Sequence, residues 1–207
     1  MNKNKLLIIG CSDAKKIGGF NQNLNVDYFS KQLIDLRISR LKYYFGLFIQ
    51  DQNYFVNKNT EHSKLVDCKN ALINNLKLPA YERYSGRFYN NKLRNLYRDA
   101  SQKKSLHILI ISGLYGVIRF DDPIIYYHLE IKKGGNWHSN IIHNEIIDYI
   151  SNNNILDQDV YYSLSDTYLN ALQPITSWNN LWINAGDTSS LLKSRNSLIN
   201  NFFPSLI

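Results

Sequence analysis

Short apolar runs punctuate the chain, and each stops at a polar or turn-forming cluster. The runs are Leu6–Gly10, Leu106–Ile111, Val160–Leu164 and Leu181–Asn184, ending in GCSDAKK, SGLYG, SDTY and AGDTSS. Brief apolar runs bounded by turn signals predict buried strands. Between them apolar positions recur at helical spacing. Leu33, Ile34, Ile38, Leu41, Phe45 and Phe48 predict a helix over 30–49, with Asp27 or Ser30 as its cap. Ile142, Ile146, Ile147 and Ile150 form one stripe and predict a helix over 139–150. Further helices are predicted over 90–100, basic on its exposed face, and over 188–200, entered through Gly186-Asp187-Thr188. Residues 51–61 read as a mobile insertion.

Alternating strands and helices predict an α/β fold, here one domain over 1–207 with a central mixed, largely parallel sheet flanked by helices. Every strand-like run carries its polar cluster on the carboxyl side. In open α/β sheets ligands bind beyond the carboxyl ends of the strands, so the clusters are expected to converge on one edge.

Composition narrows the classes. Over 207 residues, hydrophobic content is 44% and charged content 20%, ordinary for a soluble globular protein. No apolar run approaches the roughly 18–20 residues that cross a bilayer. The apolar start is too short for a secretory signal. Two cysteines, Cys11 and Cys68, make no disulfide framework and agree with a reducing, cytoplasmic location. A net charge of +7 favours contact with polyanions. The five histidines show no metal-ligand spacing, so no metal or other cofactor is expected.

Several constellations carry candidate chemistry. The loop after the first run, with Ser12, Lys15 and Lys16, suits phosphate or carboxylate; the alternative is an ordinary turn with solvated lysines. Tyr84-Ser85-Gly86-Arg87-Phe88-Tyr89, then Lys92, Arg94 and Arg98, interleaves aromatic and basic groups. Tyrosines stack on bases and cations neutralise phosphates, making Arg87, Lys92, Arg94 and Arg98 a candidate nucleic-acid surface; a solvated helix face is the alternative. Residues 108–130 run from a buried strand through Ser112-Gly113 into Tyr115, Arg119, Asp122, Tyr127, His128 and Glu130. Tyr127, Glu130, Asp122 and Asp166 are the acid–base candidates, although surface salt bridges are the commoner fate of carboxylates. Cys11, beside two lysines, reads either as a reactive thiol or as a small core residue.

These motifs resemble the YaaA family of peroxide stress proteins. The family's serine-glycine-leucine-tyrosine-glycine segment, arginine and tyrosine-x-leucine-glutamate are matched by Ser112, Gly113, Leu114, Tyr115, Gly116, Arg119, Tyr127, Leu129 and Glu130. Tyr84, Gly86 and Tyr89 match a second segment, and Ser12, Ala14 and Lys15 a third. Ser165, Asp166, Tyr168 and Pro174 match a fourth, so the resemblance spans 5–174. The chain departs from the pattern at Phe120, where the family has proline, and at His128, where it has arginine. The resemblance implies a cytoplasmic protein of the oxidative stress response that binds DNA.

Two ligand readings follow. One is a protein binding nucleic acid or a nucleotide-like ligand at the strand ends through Ser12, Lys15, Tyr84, Gly86, Tyr89, Ser112, Gly113, Tyr115, Arg119, Ser165 and Tyr168. The other is an enzyme on a nucleotide, nucleoside or nucleobase, with Glu130 or Asp166 stabilising an oxocarbenium-like state or activating water. A non-catalytic accessory module of a phage or defence locus is the third possibility. No membrane partner is expected.

Overall fold

The computed structural model describes residues 4–21, 59–86, 89, 91–102, 106–128, 131, 139–173 and 176–180, with side chains for most of them. The helices predicted over 30–49 and 188–200 and the strand over 181–184 lie outside these residues.

The larger sheet has the strand order β5-β4-β1-β7-β8. Its members are β1 (Lys5–Gly10), β4 (Leu106–Ser112), β5 (Gly116–Arg119), β7 (Val160–Ser163) and β8 (Asn179–Asn180). β1 runs parallel to both β4 and β7, β8 runs parallel to β7, and only β5 is antiparallel. The fold is therefore the expected α/β class with a mixed, largely parallel sheet. Strands buried on both faces need apolar residues at every position, and β1 supplies them: Leu6, Leu7, Ile8 and Ile9 are all buried. Leu7 and Ile9 face one core with Ile108 and Ile110; Leu6 and Ile8 face the other with Leu109 and Ile111. Each such side chain contributes roughly 1.5–3 kcal/mol on burial.

The second face packs against α4 (Ser139–Asn152) and α5 (Asp166–Leu172). Ile142, Ile146 and Ile150 form its buried stripe, as their spacing predicted. The helix stops where Asn154 takes a left-handed φ of 51°. The Ile155 and Asn154 N–H groups then donate back to the carbonyls of Ile150 and Ser151, the pair of hydrogen bonds that ends many helices. A 3-10 turn, Asp157–Asp159, leads into β7.

The first face is covered by α1 (Asn59–Ile73), α2 (Ala80–Arg83), α3 (Asn91–Gln102) and a small antiparallel sheet. That sheet has the order β2-β3-β6, from Phe20–Asn21, Leu76–Pro79 and Pro123–Ile125. Residues 59–61, placed in an insertion by the sequence pattern, instead open α1. None of the described helices is long and apolar enough to cross a membrane.

Near the amino ends of the strands, His107 Nδ1 lies 2.9 Å from the Tyr149 hydroxyl. Burial pushes the imidazole below its ordinary 6.5 and the Tyr149 phenol up to about 12. The unfolded chain therefore takes up a proton that the folded chain resists. The His107 contribution to stability is whole above pH 6.5 and is lost as pH falls through the lower folded value. Urea midpoints at about pH 7.5 and about pH 5 should differ less in His107→Gln than in the unaltered chain. Equal differences would contradict this assignment.

Candidate functional site

The chain leaves β1 for β4 on one side and later returns to β7 on the other, making the carboxyl end of β1 the switch point of the sheet. Clusters after β1, β4 and β7 do share one edge, because these three strands are mutually parallel. The Cys11 N–H extends the ladder by donating to the Ile111 carbonyl at 2.9 Å.

The first loop is then clamped rather than left to solvent. Lys15 forms an isolated antiparallel bridge with Tyr84. The Ser85 N–H donates to the Ala14 carbonyl, and the Lys16 N–H to the Arg83 carbonyl. Arg83 is the residue that the sequence did not single out. It is fully buried, and its guanidinium donates to the carbonyls of Lys16, Gly18, Leu76 and Ile124. Gly19 completes the fit: at φ 130° a Cβ would stand 2.7 Å from the Lys77 carbonyl oxygen. No helical or strand pattern marks a residue whose guanidinium binds backbone carbonyls across the fold.

Beneath this loop lies a rack of hydroxyls. Tyr127 holds its hydroxyl 2.7 Å from those of both Tyr84 and Ser112, and all three residues are fully buried. The Tyr115 N–H donates to Ser112 Oγ, a local turn that reverses the chain after β4, with Gly116 at φ 72°. Three hydroxyl hydrogens serve two hydroxyl–hydroxyl contacts, so one remains to donate elsewhere. Burial, reinforced by the nearby Cys11 thiol, pushes the Tyr84 and Tyr127 phenols well above their ordinary value, and both are neutral donors at physiological pH. The Lys15 ammonium sits over the rack, 4.6 Å from the Tyr127 ring centre and 5.7 Å from that of Tyr84. Ammonium over an aromatic face at a partly exposed site is worth about 0.5–1 kcal/mol.

Other predicted residues join the rim. The Tyr89 hydroxyl donates to the Gly10 carbonyl at 2.8 Å, and its ring packs against Tyr84. Gly86 passes so close to Ser12 that a Cβ there would meet Ser12 Oγ at 2.1 Å. From the β7 side, Tyr168 brings its hydroxyl 3.1 Å from Cys11 Sγ and lays its ring on Gly10. Burial holds its phenol far above the ordinary range, with Cys11 adding to the effect. Ser165 caps α5, its carbonyl accepting from the Tyr168 and Leu169 N–H groups. Asp166 follows in the first turn of that helix, exposed.

Some predicted residues stand elsewhere. Arg119 is not brought to the cluster: β5 runs back along β4, so Arg119 lies level with Leu109 rather than Ser112. There its Nε meets Asp122 at 2.9 Å. Burial raises the Asp122 carboxyl despite the pull of the Arg119 charge. Burial alone would lower the guanidinium; its carboxylate partner outweighs that and keeps it charged. Tyr115 is mainly a packing residue, its hydroxyl accepting from the Ile125 N–H and its ring meeting Tyr127 edge-on. Gly113 sits buried in the turn. Arg94 points inward and donates to the carbonyls of Tyr81 and Tyr84 at 2.9 and 2.8 Å, while Arg98 is exposed beside Asp99. Glu130 and Arg87 lie outside the described residues, as does the side chain of Lys92. Among the described residues no three His, Cys, Asp or Glu side chains gather into a metal-holding set.

No curated protein matches this chain. A family model described as peroxide stress protein YaaA matches residues 24–177. The matched span begins after the Ser12–Lys15 loop and contains Tyr84, Gly86, Tyr89, Ser112, Tyr127 and Tyr168. It covers well over half of the 207 residues, and the chain belongs to the YaaA family of peroxide stress proteins.

Proposed function

We propose that this YaaA-family chain acts in the cytoplasm by binding a nucleotide-like anion, free or as an exposed nucleotide of a nucleic acid, at the carboxyl edge of its larger sheet. The observation that carries the reading is Lys15: a clamped backbone holds its ammonium over Tyr127 and Tyr84. A cation fixed above neutral phenols at a switch point supplies charge for a phosphate, hydroxyls for its oxygens and backbone close enough to follow them. Arg98, exposed on α3, would add attraction at longer range.

Titration with nucleoside monophosphates and short single-stranded DNA, at low and then raised salt, tests this. Binding that weakens as salt rises is expected, since phosphate contact displaces counterions. Failure to bind at low ionic strength would contradict it.

A further inference from the structure

Ser163 is the last residue of β7, and its side chain is only 6% exposed. Its Oγ has no hydrogen-bond partner among the described residues. Alternation along the strand settles its face. Val160 and Tyr162 pack in the core beside α4 and α5, so Tyr161 and Ser163 turn the other way. The residue in register with Ser163 on β1 is Ile9, which belongs to the same core as Tyr84, Tyr89 and Tyr127. A hydroxyl buried without a partner is costly, and folded proteins pair nearly all such groups. In mid-strand this would be a packing defect. At the carboxyl end of β7, beside the switch point, it is a group facing the place where α/β sheets hold their ligands.

We propose that Ser163 is a ligand-contacting residue, its hydroxyl pairing with an uncharged polar group (a sugar hydroxyl or a base edge) of the nucleotide-like ligand whose anionic end Lys15 holds. The inference rests on the nucleotide-site reading above. A serine hydroxyl donates and accepts alike, which matches a neutral partner rather than a phosphate that already has an ammonium. The geometry also agrees. Adjacent strands lie about 4.8 Å apart, so from β7 across β1 to the β4 side is on the order of 10 Å, close to the length of a nucleoside monophosphate. The site would then span β1, with charge recognition on one flank and hydrogen-bond recognition on the other.

Ser163→Ala and Ser163→Thr test this by calorimetric titration with ribo- and deoxyribonucleoside monophosphates, together with thermal unfolding of the free proteins. Ser163→Ala should leave the free protein as stable as before or more so, because an unpaired hydroxyl is removed. Its affinity should fall about tenfold, the loss of one well-made hydrogen bond, and Ser163→Thr should recover most of it. Undiminished affinity in Ser163→Ala, with binding still weakened by Lys15→Met, would overturn the Ser163 assignment alone. A markedly lower unfolding temperature for free Ser163→Ala would overturn it too, by showing that the hydroxyl is satisfied within the fold. An unaltered chain that binds none of these nucleotides would remove the site reading and this inference together.

Discussion

Replacing Arg83 with methionine is expected to cost roughly 3–5 kcal/mol of folding stability, among the largest effects of any single change. The guanidinium is fully buried and donates to four backbone carbonyls, two in the loop after β1 and one each in β3 and β6. Methionine keeps much of the apolar stem but leaves those oxygens without their donor. Water entering the gap would satisfy some of them, which keeps the cost below the sum of the bonds. Lysine cannot replace the fork: its single ammonium does not reach carbonyls spread over a planar fan. Burial pushes the guanidinium down to about 10, still high enough for full charge at neutral pH. Urea unfolding measures the loss. Amide exchange at Gly18 and Gly19 should speed up beyond the global change, since Arg83 ties this loop to the small sheet. An unchanged midpoint would show that the clamp contributes nothing.

Lys15→Met should separate binding from folding. The Lys15–Tyr84 backbone bridge does not depend on the side chain, and the methionine stem still covers the Tyr127 ring. Stability should therefore fall by no more than about 1 kcal/mol, the contribution of an ammonium over an aromatic face. Nucleotide affinity should fall far more. A charge-assisted hydrogen bond is worth about 1.5–3 kcal/mol, or roughly 10- to 100-fold in affinity. The salt dependence of the remaining binding should flatten, because one phosphate contact is gone. Equal affinity in the variant would move the anion site elsewhere on the molecule.

The strongly patterned elements were legible before any coordinates. β1, β4 and β7 are continuous apolar runs, and α4 has a clean isoleucine stripe, so local periodicity located them to within a few residues. The small sheet was not legible. Leu76–Pro79 and Pro123–Ile125 are too short to carry a period, and each begins or ends on proline. They become strands through each other, by pairing between segments far apart in sequence.

The site divides along the same line. Ser12, Lys15, Ser112 and Tyr168 lie at or after strand ends, and the parallel sheet alone brings them to one edge. Arg119 looked like part of that group because it follows Ser112 so closely. The turn at Gly116 instead starts an antiparallel strand and carries Arg119 away. Arg83 and Ser163 were invisible for another reason. Their importance lies in what their polar atoms meet, or do not meet, across the fold, and no local pattern encodes that.

The most direct test is a crystal structure of the full chain soaked with a nucleoside monophosphate. Density should appear at the carboxyl edge of the sheet, its phosphate within hydrogen-bond distance of Lys15 Nζ and its sugar or base over β1 toward Ser163. A ligand bound only on the outer face of α3 near Arg98, with the β1 loop and the tyrosine rack untouched, would contradict a site at the switch point.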